Sequence, residues 1–191
     1  MNEELLEGLQ ILTPAVFKDE RGYFFESYNK KRMEVCDIND VFVQDNESCS
    51  SKGVIRGLHY QLEPAAQSKL VRVIRGAIID FVLDIRKSSP TFGQMYFIYL
   101  SSDNFKQFYI PHGFAHGFLA LEDCTVFSYK CDNFYDKGLE RGISIFDESL
   151  DIFGKLNKLF INLNRKVDMS NLIISEKDKH HPNFKDADYF E

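Results

Sequence analysis

Apolar residues in this chain come in short runs, and repeatedly at alternate positions, which favours strands over long helices. From residue 9 to about 147 the runs are LQILTPAVF, YFFESY, VFVQDN, GVIRGLHYQ, KLVRVIRG, AIIDFVLDIR, QMYFIYLS, QFYIPHGFAHGFLAL, TVFSYKCDNFY and RGISIFD. They are rich in β-branched and aromatic residues. Gly, Pro, Asn, Asp and Ser interrupt them at intervals suited to a sandwich or barrel. KDERG reads as a turn and KKRMEVCDI as a short helix. After about Ser149 the alternation stops, and residues 150–191 read as loop and short helix laid over the β-body. No repeat or Pro/Gly/Ser-rich linker divides the chain. The expectation is one all-β domain over residues 1–191, a double-sheet jelly-roll barrel (β-body about 9–147) with a partly helical C-terminal segment.

A chain of 191 residues can bury a core without staples. Its net charge of −6 argues against a general nucleic-acid binder. A local cluster of cations for a small phosphorylated ligand remains compatible with it. None of the four cysteines, at 36, 49, 124 and 131, has CxxC spacing. Cys124 and Cys131 lie in or beside an apolar run and are expected to be buried thiols. The N-terminus MNEELLEGLQIL has acids where a signal peptide needs bases, and no stretch approaches 18 apolar residues. These features predict a reduced, cytoplasmic protein with no membrane span.

Alternation also places side chains. Lys69, Val71 and Val73 share one strand face, as do Thr125, Phe127, Tyr129 and Cys131. If apolar faces line the barrel, Lys69 and Tyr129 point inward, where each needs a partner or a ligand. GVIRGLHYQ sets Arg56 and His59 three positions apart around Gly57. Strict alternation would send them to opposite faces, and a bulge at Gly57 would bring them together. His59 then reads as a general base or as a satisfied core histidine. Tyr129 reads as a general acid or a packed strand aromatic, and Lys69 as a carbonyl polariser or a snorkelling surface lysine. Arg21, Arg56 and Lys177 read as phosphate ligands or solvated charges. Asp178 could orient His59, although Ser175 to Asp178 is also a capping-box pattern. In IPHGFAHGF, Pro111, Gly113 and His116 have the PxGxxH spacing of metal cupins. The HxH pair such a site requires is missing, because its position reads His59-Tyr60-Gln61, and His180 and His181 sit in a polar tail. The pattern therefore supports a cupin-like fold and argues against a metal.

The blocks FKDERGYFFESYN, FVQDNESCSSKGVIRGLHYQ, KLVRVIRGAIIDFVLDIRKSSPTFG, IPHGFAHGFLAL, SYKCDNFY, ERGISIFD and LIISEKD resemble, in order, the dTDP-4-dehydrorhamnose 3,5-epimerases. These are cofactor-independent cupin-fold isomerases. The resemblance implies a homodimer of jelly-roll barrels acting on dTDP-4-dehydro-6-deoxy-D-glucose. By motif position it implies that His59 is the base, Asp178 its carboxylate partner, Tyr129 the acid on the opposite face, and Lys69 the group near the C4 oxygen. It further implies that Arg21, Glu26, Gln44, Asp45, Asn46, Arg56, His116, Glu140 and Lys177 contact the ligand. Tyr135, or Phe134 beside it, would stack on the thymine. The chain departs from the family pattern after ERGI, where a tryptophan-containing run is usual and this chain has no Trp. The segment before SEKD is also longer. Three other readings stay open: an epimerase of C3 only or C5 only on a related NDP-4-ketosugar, a metal-dependent cupin oxygenase, and a non-catalytic sugar-nucleotide-binding cupin.

Overall fold

The structure is a computed structural model that describes residues 5–163 and 167–191. Residues 1–4 of the acidic N-terminus and residues 164–166 of the C-terminal segment lie outside the described residues. Twelve strands are described: β1 (Gln10–Leu12), β2 (Val16–Asp19), β3 (Gly22–Phe25), β4 (Gln44–Ser50), β5 (Ile55–Gln61), β6 (Lys69–Arg75), β7 (Ala77–Asp84), β8 (Met95–Ser101), β9 (Gln107–Ile110), β10 (Phe114–Ala120), β11 (Thr125–Cys131) and β12 (Glu140–Gly142). Two α-helices accompany them, α1 (Lys30–Val35) and α2 (Ile152–Leu163).

Ten strands form two antiparallel five-stranded sheets, in the orders β1-β9-β6-β11-β4 and β12-β5-β10-β7-β8. β2 and β3 form a separate hairpin, turned at KDERG by Gly22 with φ +124°. The all-β, jelly-roll-like expectation holds. Val71, Val73, Phe108, Ile110 and Phe127 of the first sheet meet Ile78, Val82, Phe114 and Phe118 of the second, forming the inter-sheet core. A second apolar layer lies behind the second sheet, where Ile79, Phe81, Leu83, Ala115 and Leu119 pack against Ile152, Leu156 and Phe160 of α2. Those three helix residues recur every four positions, so one face of α2 is apolar and is the face that docks. Because β7 is covered on both sides, AIIDFVLD reads as a nearly continuous apolar run. The outer face of β6 is only partly covered, by α1 against Leu70, and KLVRVIR keeps its alternation.

Three local expectations are corrected. VFVQDN is strand only from Gln44 onward, because Val41 and Val43 are exposed and have no apolar face to bury against. RGISIFD contributes only Arg141 and Gly142 to a strand, and its Ile143 and Ile145 are buried in the layer under α2. Cys131 is buried as expected, but Cys124 is exposed, in a turn where its φ is +53°.

Candidate active site

The conflict in GVIRGLHYQ is resolved by a bulge. Across β5 and β10, His116 pairs with His59 and Phe118 with Arg56, so two steps on one strand face three on the other. The extra residue puts Arg56 and His59 on the same face, while Ile55, Leu58 and Tyr60 turn to the layer under α2. Gly57 makes this possible. Its φ is +110°, and a Cβ there would lie 2.5 Å from the His116 carbonyl oxygen. Its freed N–H donates to Asp178 Oδ2 at 3.2 Å.

A cavity of about 320 Å³ opens between the two sheets. The second sheet contributes Arg56, His59 and His116, and the first sheet Asn46, Lys69 and Tyr129. His59 Nε2 lies 2.7 Å from Asp178 Oδ1, a charge-assisted hydrogen bond. Burial pushes the His59 pKa down, and Asp178 opposes this without reversing it. The imidazole therefore stays neutral, its Nε2–H faces the carboxylate, and no hydrogen bond from the described residues reaches Nδ1. Burial would raise the Asp178 carboxyl, but the neighbouring His181 and His59 imidazoles and the Gly57 N–H outweigh it and hold the group far below the usual carboxylate range. Desolvation pushes the Lys69 ammonium down and the Tyr129 phenol up, so the phenol keeps its proton. The Lys69 Nζ is 5.9 Å from the Tyr129 ring centroid.

SEKD makes only the forward half of a capping box. The Asp178 N–H donates to Ser175 Oγ at 3.1 Å, starting a 3₁₀ turn over 178–180, while the Asp178 side chain is taken by His59. His116 meets both oxygens of the buried Asp80, at 3.0 and 2.9 Å, behind the cavity wall. In an adjoining pocket Lys177 stands with Arg56, His59 and Asp178; its Nζ pairs with Glu140 at 2.5 Å, and the Tyr135 hydroxyl donates to the same carboxylate at 2.9 Å. Burial would raise Glu140, and these two partners bring it below its ordinary value instead. Tyr135 and Phe134 are exposed beside them. Gln44 accepts from the Tyr135 N–H at 3.0 Å and donates to Asn46 at 3.1 Å.

Asp45, Arg21 and Glu26, three of the expected ligand contacts, are engaged elsewhere. Asp45 points out of β4 and pairs with Lys130 at 2.8 Å, because alternation turns only Gln44 and Asn46 inward. Arg21 pairs with Asp19 at the hairpin turn and is 83% exposed, and Glu26 pairs with Arg32 at 3.1 Å. Sequence reasoning missed His181. Read as part of a polar tail, it is 11% exposed and stands beside Asp178. The donor atoms of His59, Asp178 and His181 lie within 4.8 Å of one another, the one group among the described residues close enough to share a cation.

Fold and cavity together define a cupin-type barrel: a histidine on one sheet, held by a carboxylate from the C-terminal segment, faces a tyrosine and a lysine on the other. The chain matches the dTDP-4-dehydrorhamnose 3,5-epimerase family over residues 3–186, and it belongs to that family of isomerases. It is 50% identical over 181 residues to the dTDP-4-dehydrorhamnose 3,5-epimerase of Shigella flexneri, covering 94% of this chain and 93% of the relative. The crystal structure of the Elizabethkingia anophelis NUHP1 epimerase superposes with a TM-score of 0.84 at 46% identity, covering 96% and 95% of the two chains. A dTDP-6-deoxy-D-glucose-3,5-epimerase from Legionella pneumophila Philadelphia 1, in complex with dTDP-4-keto-L-rhamnose, gives 0.83 at 41% identity, covering 94% and 89%.

Proposed function

We propose that this single-domain enzyme inverts C3 and C5 of dTDP-4-dehydro-6-deoxy-D-glucose, yielding dTDP-4-dehydro-L-rhamnose, by proton transfer between His59 and Tyr129. One observation carries the reading: a neutral, carboxylate-held imidazole and a protonated phenol enter one cavity from opposite sheets. C3 and C5 both flank the C4 ketone, so their C–H bonds are acidified. His59 Nδ1 takes the proton, and the bonding pair moves onto the C4 oxygen. Lys69 stabilises the resulting enolate oxygen. Tyr129 returns a proton from the other side as the pair falls back, which inverts the carbon. Solvent exchange resets both groups. A positioned acid or base contributes on the order of 10²–10⁴-fold.

Arg56 and Lys177 hold the diphosphate, Asn46, Gln44, His116 and Glu140 orient the sugar and ribose, and Tyr135 or Phe134 stacks on the thymine. The remote contacts position the ring for proton transfer. The hairpin argues for a homodimer. Phe17, Tyr23 and Phe24 are 65%, 58% and 71% exposed, a cluster that a second copy would cover. Sedimentation of a monomer at micromolar concentration would contradict this. A cytoplasmic setting fits the four free cysteines, and no described helix is long and apolar enough to cross a membrane.

Incubation with substrate in D2O, followed by NMR, tests the reaction. Deuterium at both C3 and C5 is expected, and deuterium at one carbon only would identify a single-centre epimerase.

A further inference from the structure

His181 touches the catalytic pair, and the mechanism above does not use it. It follows the 3₁₀ turn over 178–180, and its ring occupies the space left by Gly142 on β12, where a Cβ would come within 2.4 Å of it. Gly142 pairs with His59 across β12 and β5. The two imidazoles meet edge to face, with centroids 5.5 Å apart at 81°. His181 Nε2 lies 3.5 Å from Asp178 Oδ1, the oxygen that holds His59. That nitrogen is buried and has no hydrogen-bond partner among the described residues. A buried polar atom without a partner is costly, so the arrangement calls for one.

We propose that His181 is a positioning residue of the epimerase: its Nε2–H is a second imidazole donor to Asp178, forming an imidazole–carboxylate–imidazole row that fixes the tautomer and tunes the basicity of His59. The proposal rests on the reading of His59 as the base. An ionised carboxylate only accepts hydrogen bonds. Oδ2 of Asp178 takes the Gly57 N–H, and Oδ1 faces both imidazoles. The 3.5 Å separation is long for a hydrogen bond, and active-site hydrogen bonds often tighten only when substrate is bound. A second donor draws on the carboxylate's charge, so Asp178 holds a protonated His59 less firmly. The charged and titratable groups around His59 are Asp178 and His181 from the C-terminal segment, Lys69 from β6, Glu140 from β12, Arg56 of its own strand, His116 of β10 and Tyr129 of β11. Asp178 and Glu140 favour the imidazolium; Lys69 and His181 oppose it.

Nitrogen-15 NMR of histidine-labelled wild-type protein reads the tautomers directly. Both rings should carry a proton on Nε2. A His181 protonated on Nδ1 alone cannot donate to Asp178 and would overturn the proposal, whether or not any variant folds. In kinetics, His181→Ala should lower kcat about ten-fold with KM nearly unchanged, the loss expected for one hydrogen bond to a charged group. It should also move the acid limb of kcat/KM to higher pH. His181→Gln, which keeps an N–H donor, should recover part of both effects. An unchanged acid limb in His181→Ala, or a Gln variant no better than Ala, would refute the role. A His59→Ala control separates the two readings. Persistent C–H exchange there removes the base assignment itself, whereas failure at His181 with exchange abolished in His59→Ala removes only the second donor.

Discussion

In the proposed mechanism His59 works because its two nitrogens face different surroundings. Nε2 is tied to Asp178, which leaves Nδ1 as the atom able to accept a proton. Desolvation outweighs Asp178 and lowers the imidazole pKa. The base form therefore persists below the ordinary histidine value of about 6.5, and the acid limb of kcat/KM should lie below it. An acid limb above 6.5 would mean that Asp178 dominates. Alternation correctly turned Lys69 and Tyr129 inward, since both strands carry an apolar face against the core. It also turns Asp45 outward, which motif position alone did not reveal. His181 was illegible for a different reason: KHHP has no periodicity, and only the path of the C-terminal segment sets that ring against Gly142.

At the scale of elements, the bulge in β5 decides whether there is a site at all. The sequence showed both the conflict between Arg56 and His59 and the glycine able to relieve it, because φ near +110° is open to few other residues. In Gly57→Ala the new methyl would meet the His116 carbonyl at 2.5 Å and Gly117 Cα at 2.7 Å, both backbone atoms with little room to move. Destabilisation of about 1–3 kcal/mol is expected from the strained φ alone, together with a large loss of kcat as His59 leaves its register. A urea melt and a rate assay check both. A neutral outcome would mean that the bulge does not depend on glycine. The boundaries of β4 and β12 were not legible, because each is set by which apolar residues find cover in the tertiary structure.

The whole molecule is layered, with α1, two sheets and the C-terminal segment stacked in turn. The C-terminal segment both covers the second sheet and delivers Asp178, so the site depends on its docking. Leu156 is fully buried in that layer. Leu156→Ala should cost about 2–5 kcal/mol, measurable by denaturant unfolding. The sequence showed this segment as loop and short helix but not which face it covers, since its contacts are long-range.

Stability should also vary with pH in two windows. Asp84 is buried, and hydrogen bonds from Arg86, Ser89 and Thr91 outweigh that burial, so its pKa is lowered on folding. Its contribution is present above the unfolded value of about 3.9 and is lost as pH falls through the lower folded value. His112, hydrogen-bonded to Asp132, is raised instead. Its contribution is present below about 6.5 and is lost as pH rises through the folded value. Melting temperature against pH should therefore lose part of its decline above about 6.5 in His112→Gln and part of its acid decline in Asp84→Asn.

The central claim is a one-base, one-acid division across two sheets, and proton exchange in D2O by two variants tests it most directly. His59→Ala should abolish deuterium incorporation at both C3 and C5. Tyr129→Phe should lose inversion yet keep exchange on the His59 side. Equal and complete loss of exchange in both variants, with both folded, would contradict the division.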